Sequence, residues 1–367
     1  MKSLLLAVGL VGILGVAGYF ALRGGHASPA IFEKQAEGPM GPPELTNIEG
    51  LARSRDGHVL ATVSQNVVSL WDTTSGKNLL VLQNASNEAI YAPAFSPDGS
   101  LLATASNIQG DGHLLLWNPA TGERLASVDN LAFPGCVSFN PAGTLIAVGG
   151  LPTLYLVDPS TKQIERQIDR PHQNGGSQAA VFSPSGDFLA TGGRDGTVKL
   201  WQLSDLSLKR TFSVSDPQPH VSASEGPPAR AIVSSLAFAH DVPRLVAATQ
   251  GGSVFVWDLE SGKEIVRYDY SAVQADTDIL KLRNWASFTS DDKWLVTTNQ
   301  RGDGITLLGA KSKKKVDDLL TLRKHTEMAN LDVSPTDGSV AFAYRVFHPG
   351  EPGPPSAKFE IWSLQLH

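Results

Sequence analysis

Seven times along this 367-residue chain an apolar residue precedes Ser-Pro-Asp-Gly or a relative, after which an apolar run of four or five leads to a second run closing on a bulky apolar residue. The turn members are Ser54-Arg55-Asp56-Gly57, Ser96-Pro97-Asp98-Gly99, Asn140-Pro141-Ala142-Gly143, Ser183-Pro184-Ser185-Gly186, Ala239-His240-Asp241-Val242, Thr289-Ser290-Asp291-Asp292 and Ser334-Pro335-Thr336-Asp337-Gly338. The closing landmarks are Trp71, Trp117, Val157, Trp201, Trp257, Leu308 and Trp362, spaced 46, 40, 44, 56, 51 and 54 residues apart. A period in the forties marks an array of equivalent units, none of which buries its apolar faces alone.

Each unit reads as short strands joined by tight turns. In the fourth, Ala179 to Phe182 and Phe188 to Thr191 flank a turn with proline at its second position, Arg194-Asp195-Gly196 leads into Thr197 to Leu203, and Leu206 to Phe212 supplies a fourth strand. Runs such as Leu114-Leu115-Leu116-Trp117 and Val254-Phe255-Val256-Trp257 are apolar throughout rather than alternating. Such strands belong in sheets covered on both faces. With 35 glycines and 23 prolines against 18% charged residues, the chain is too rich in turns for a coiled coil or a helical bundle.

The segments Leu70-Trp71-Asp72, Leu116-Trp117-Asn118, Leu200-Trp201-Gln202, Val256-Trp257-Asp258 and Ile361-Trp362-Ser363, each downstream of one of these turns, resemble the repeats of the WD40 β-propeller family over roughly residues 44–366. The resemblance implies an all-β, seven-bladed propeller of four-stranded antiparallel blades. It also implies a hydrogen-bonded tetrad of His, Ser/Thr, Asp and Trp. His172, Asp195 and Trp201 fit that pattern in blade four, with Gly193 where the hydroxyl residue is expected, and blade seven offers His325 without an obvious aspartate. Val157 and Leu308 replace tryptophan in blades three and six, so burial rather than the tetrad must hold the ring together. Each landmark tryptophan is then worth ~2–3 kcal/mol of buried apolar area.

Since the last unit ends on its third strand, the fourth must come from elsewhere, and a segment at about residues 30–36, beginning at Ala30 to Lys34, is the available donor. Closure of this kind leaves no long unpaired edge. The single cysteine, Cys136, falls in the first strand of blade three as a buried, inert thiol and excludes any internal disulfide.

Ahead of the repeats, Leu4 to Leu22 holds 19 residues without a charge, between Lys2 and Arg23. That length suits one bilayer span. Residues 1–23 therefore read as a single apolar helix serving as an uncleaved membrane anchor or, with Gly25 and Ala27 as small residues before a cleavage site, as a signal peptide. Either reading carries the propeller out of the cytoplasm. Residues 24–43, containing Gly38-Pro39-Met40-Gly41-Pro42-Pro43, read as a spacer, and residues 44–367 as the propeller.

The charge balance, 36 acids against 30 bases and a net −6, argues against a nucleic-acid partner, which requires a basic face. Gly-rich phosphate loops, His-Glu-x-x-His, Gly-x-Ser-x-Gly and metal-ligand histidine pairs are all missing from the sequence, so no cofactor, metal site or catalytic residue is assigned. The long connections Asn107 to Gly112, Val214 to Arg230, Ala272 to Arg283 and Tyr344 to Lys358 all join second to third strands or one blade to the next. In an antiparallel meander these share one end. Function gathers on loops held by a rigid scaffold, and this end carries Asp111, His113, Arg194, His220, Arg230, Arg283, Arg301, Arg345 and His348 as candidate contacts. Asp276-Thr277-Asp278 lacks the further acid and glycine of a calcium loop, Arg301-Gly302-Asp303 reads as a tight turn, and the four lysines within Lys311 to Lys315 read as a solvated turn at the opposite end. The leading expectation is a monomeric, non-enzymatic scaffold for a protein or peptide. The alternative is an extracytoplasmic propeller enzyme, a lactonase-like hydrolase or dehydrogenase, with its site in the central channel.

Overall fold

The computed structural model describes residues 30–39, 49–83, 89–108, 111–173, 175–216, 231–269, 284–298, 304–312, 315–322, 326–347 and 356–366. These form seven four-stranded antiparallel sheets, each ordered from the channel outward. The N-terminal helix and its readings as anchor or signal lie outside the described residues. Among the described residues no helix is long and apolar enough to cross a membrane.

The recurring turns explain their own sequence. In blade two, Ser96 Oγ donates to Asp98 Oδ1 at 2.6 Å and accepts the Leu101 amide at 2.9 Å, while Asp98 takes the Ser100 amide. Gly99 adopts φ +73°, a left-handed conformation that a side chain resists. The residue after each tryptophan does similar work at the next turn. Asp72 and Asp258 accept the Ser75 and Ser261 amides at 2.7 Å, and Asn118 accepts that of Ala120. Thus Trp-Asp joins a side chain buried between sheets to a side chain capping the reversal that follows.

Burial is organised between blades. Seven clusters of buried side chains occur, one at each interface of the ring. Trp71 sits with Phe359, Ile361 and Ala341 between blades seven and one, whereas Leu60 on the strand paired to Trp71 shares the same cluster. Val157 and Leu308 occupy equivalent seats and are fully buried, so an aliphatic side chain fills the position where tryptophan is absent. Four of the five tryptophans are buried as the sequence implies; Trp362 is only half-buried and donates its indole N–H to Glu360 instead.

The outer strand of blade seven is Ala30–Pro39, paired along its length to Ser356–Leu366 with Ala30 opposite Leu366 and Pro39 opposite Lys358. Gly38 and Pro39 are therefore strand, a correction to the reading of residues 24–43 as spacer. The reason is a close approach. A Cβ on Gly38 would lie 2.7 Å from the Phe359 ring, so glycine is what lets the strand lie flat over that side chain. At its centre, Glu360 accepts Lys34 Nζ and the Tyr344 hydroxyl on Oε1, at 2.8 and 2.9 Å, and the Trp362 indole on Oε2. These three donors compensate a carboxylate whose residue is only 6% exposed and pin the closing strand to the last repeat.

A second correction concerns the tetrad. Trp201 Nε1 donates to Thr191 Oγ1 at 2.9 Å, Thr191 lies 2.8 Å from His172 Nε2, and His172 Nδ1 lies 3.1 Å from Asp195 Oδ1. The hydroxyl residue is thus Thr191, and the tetrad of blade four is complete without Gly193. Cross-strand register decides this: Leu189 faces Trp201, so the residue two positions on is brought under the indole. Gly193 instead leaves room for the imidazole, since a Cβ there would lie 2.4 Å from the His172 ring. Burial, opposed by Asp195, holds His172 below the ordinary histidine value. A neutral ring with its proton on Nδ1 lets Trp201 donate to Thr191, Thr191 to His172 and His172 to Asp195, whose carboxylate accepts at the end of the series. Elsewhere among the described residues only part of this chain of bonds is seen: Trp71 bonds Thr62 and Trp117 bonds Thr104, without the histidine.

Candidate interaction face

One end of the ring holds the connections between second and third strands and those between blades, and here the inner strands open into a cavity of about 560 Å³. Its shape follows from bulges. The inner strands of blades two, four, five and seven each slip register near this end, at Tyr91/Ala94, Ser177/Ala179, Val233/Ser235 and Met328/Asn330. A bulge bends a strand and re-aims the side chain it leaves unpaired. Pro93, Gln178 and Ser234 arrive at the cavity wall this way.

The lining is mixed in character. Tyr91, Phe133 and Trp285 supply aromatic surface, with Phe133 55% exposed on the connection between blades two and three at φ 42°. Trp285 is fixed by donating its indole N–H to the Ala329 carbonyl at 3.1 Å. Glu49 and Arg194 are the two charged residues on the lining, and burial together with the Glu49 charge pushes the Tyr91 phenol up, keeping it a neutral donor. Asn330 is buried and lines the cavity. Cys136 also lines the cavity; its thiol is pushed up to about 12 by burial, with Sγ 3.8 Å from the Ser177 carbonyl.

Of the residues singled out from sequence, Arg194 is the one on this lining, exposed and lying across Gly175. Asp111 is exposed at the same end but begins a strand, paired with Ile108, so the Asn107–Gly112 connection is an extended hairpin and not the long loop expected. His113 lies further along that strand, 2.8 Å from Asp129. Arg345 likewise belongs to a ladder, opposite Ala357, which shortens the connection expected over 344–358. His220, Arg230, Arg283, Arg301 and His348 lie outside the described residues, as do His325, Asp276-Thr277-Asp278 and Arg301-Gly302-Asp303. Sequence reasoning missed Tyr91, Gln178, Trp285 and Asn330, whose common signal is a polar or aromatic residue near the start of an apolar inner strand. Among the described residues no group of three His, Cys, Asp or Glu side chains gathers in a way that could hold a metal ion.

Seven four-stranded blades closed around a channel define a β-propeller. Residues 76–118, 168–202 and 221–258 match the WD domain, G-beta repeat family, WD40, and the remaining blades repeat the same strand order and turn chemistry. The chain folds as a seven-bladed β-propeller in which three stretches match WD40 repeats. It is 30% identical over 161 residues to WD repeat-containing protein slp1 of Schizosaccharomyces pombe, covering 42% of this chain and 33% of that protein. It is also 30% identical over 157 residues to eukaryotic translation initiation factor 3 subunit I of Aspergillus oryzae, covering 40% of this chain and 46% of the relative. With transducin beta-like protein 3 of Mus musculus the identity is 26% over 215 residues, 56% and 24% of the two chains. The chain thus spans less than half the length of each of these relatives. WD40-repeat proteins are typically non-enzymatic scaffolds that bind protein partners.

Proposed function

We propose that this propeller is a non-enzymatic scaffold whose cavity-bearing end receives a segment of a protein or peptide partner, and that residues 1–23 tether or export it so that the ring is displayed outside the cytoplasm. The observation that carries the binding surface is the cavity itself: about 560 Å³ with aromatic walls, the buried Asn330 on its lining and one charge of each sign at its edge. Aromatic surface beside a few placed polar groups is the composition of binding-site cores. An extended peptide brings amide donors and acceptors into such a space.

The test is affinity capture with the intact protein, with Phe133→Glu and Arg194→Glu at the cavity end, and with Leu79→Glu on the outer rim, where Leu79 is 52% exposed. Partners lost with both cavity-end substitutions and kept with Leu79→Glu support the reading. Partners that survive both place the binding surface elsewhere.

A further inference from the structure

The two charged side chains on the cavity lining stand far apart around the ring, and their separation gives the mouth a direction. Glu49 leads into the inner strand of blade one, Gly50–Arg53, and its amide donates to the Val63 carbonyl at 3.0 Å. Arg194 follows the second strand of blade four, Phe188–Gly193, and is exposed. Each blade packs its inner strand against the next, so three blade steps separate the two charges. A ring of seven allows no wider separation.

Arg194 is held in place from beneath. Buried Asp195 accepts the Thr197 amide, the Thr197 hydroxyl and the Gln173 amide at 3.1, 2.7 and 2.9 Å, and meets His172 Nδ1 at 3.1 Å. These bonds fix the turn on which Arg194 stands and tie it to the connection from blade three. The aliphatic part of Arg194 lies over Gly175 of that connection, where a Cβ would approach Cδ to 2.9 Å. The tetrad of blade four thus positions a charge at the mouth.

Between the two charges the wall is aromatic. Tyr91 stands on blade two, near enough to Glu49 for that charge to add to burial in pushing the phenol up. Phe133 follows on the connection to blade three. It is 55% exposed at φ 42°, so neither burial nor backbone preference accounts for an aromatic side chain there. Ala92, beside Tyr91, also holds a positive φ, of 47°. Left-handed backbone at residues other than glycine gathers at ligand clamps. The opposite arc, over blades five to seven, brings Trp285 and Asn330 to the lining and no charge.

We propose that the partner segment spans the arc from blade one to blade four as a dipole, with a lysine or arginine against Glu49 and Tyr91, an apolar side chain over Phe133, and a carboxylate against Arg194. The inference rests on the reading of the cavity end as a peptide-binding face and names the chemistry which that face selects. A cation beside both a carboxylate and an aromatic ring is attracted by each. A guanidinium takes a carboxylate through two parallel hydrogen bonds. A segment of one sign throughout meets a like charge at one end and is rejected there.

The full chain is panned against a displayed library of random dodecapeptides, alongside Phe133→Glu, Glu49→Lys, Glu49→Gln and Arg194→Glu. Peptides enriched on the unaltered protein over Phe133→Glu are expected to carry a base near one end and an acid near the other. On Glu49→Lys the enriched peptides should turn acidic at both ends, and on Arg194→Glu basic at both. On Glu49→Gln they should lose the base and keep the acid. A peptide from the first selection, followed by fluorescence anisotropy, should bind either charge reversal roughly tenfold more weakly. No enrichment over Phe133→Glu overturns the peptide-binding reading and this inference with it. Enriched peptides without opposite charges, or the same peptides recovered on the reversed variants, overturn the dipole and leave the binding face standing.

Discussion

Replacing Thr191 with valine isolates what the complete tetrad of blade four contributes, because the two side chains have nearly the same shape and only the hydroxyl is lost. Thr191 is fully buried, between Trp201 at 7% and His172 at 2% exposure. Its hydroxyl serves two groups, accepting the Trp201 indole N–H at 2.9 Å and meeting His172 Nε2 at 2.8 Å. Valine orphans a donor and an acceptor together, and a buried polar group left unsatisfied costs ~1–3 kcal/mol. The expected loss is therefore ~2–5 kcal/mol. Thr104→Val is the internal control. Trp117 bonds Thr104 at 3.0 Å in an equally buried site with no histidine, so one group is orphaned and the cost is ~1–3 kcal/mol. Urea denaturation of both variants at matched slope gives the comparison. Hydrogen exchange at the Gln173 amide, which Asp195 accepts at 2.9 Å, reports whether the far end of the chain loosens. Equal losses for the two valines, or unchanged exchange at Gln173, would refute the idea that Thr191 links the indole to the imidazole.

The depressed His172 value makes a pH prediction: the unfolded chain takes up the proton first, so stability is complete above the ordinary histidine value of ~6.5 and declines as pH falls toward the folded-state value. Denaturation midpoints at about pH 7.5 and about pH 5.5 should differ less in His172→Gln than in the unaltered protein. Lys34→Met should destabilise the ring by ~1–2 kcal/mol, less than a fully buried pair would give because Lys34 is a third exposed; a smaller loss in a Glu360→Gln background would show the coupling. Gly38→Ala should cost ~1–3 kcal/mol in the same assay, since the Phe359 ring it meets is fully buried. With its thiol at about 12, Cys136 should be only about one ten-thousandth thiolate at pH 8 and should resist alkylation until urea unfolds the protein.

The array was legible because its determinants are local: Ser96, Asp98 and Gly99 close a turn among themselves, and the run after it carries its own landmark. Thr191 was missed because the tetrad was sought at Gly193, a fixed distance ahead of the turn aspartate, when the contact is set by pairing across the strands. The signal was present. Leu60-Ala61-Thr62, Leu102-Ala103-Thr104 and Leu189-Ala190-Thr191 repeat the same tripeptide, with its leucine opposite the tryptophan and its threonine under the indole in all three blades. Blade five carries Leu245-Val246-Ala247 there, and Trp257 instead stacks on Phe212 and Phe255 at centroid distances of 4.9 and 5.6 Å. The cavity had no such handle. Tyr91, Trp285 and Asn330 stand on three different blades and meet only because the ring closes, and the bulges that turn Gln178 and Ser234 inward are insertions of one residue in a pattern with period two. One slip of that kind changes which face a side chain takes without altering composition or apolar periodicity. In this architecture the wedges are therefore written in the repeat, whereas the cavity-bearing end is written in its departures from the repeat, and inner-strand positions where the register slips are the places to examine first in a degenerate propeller.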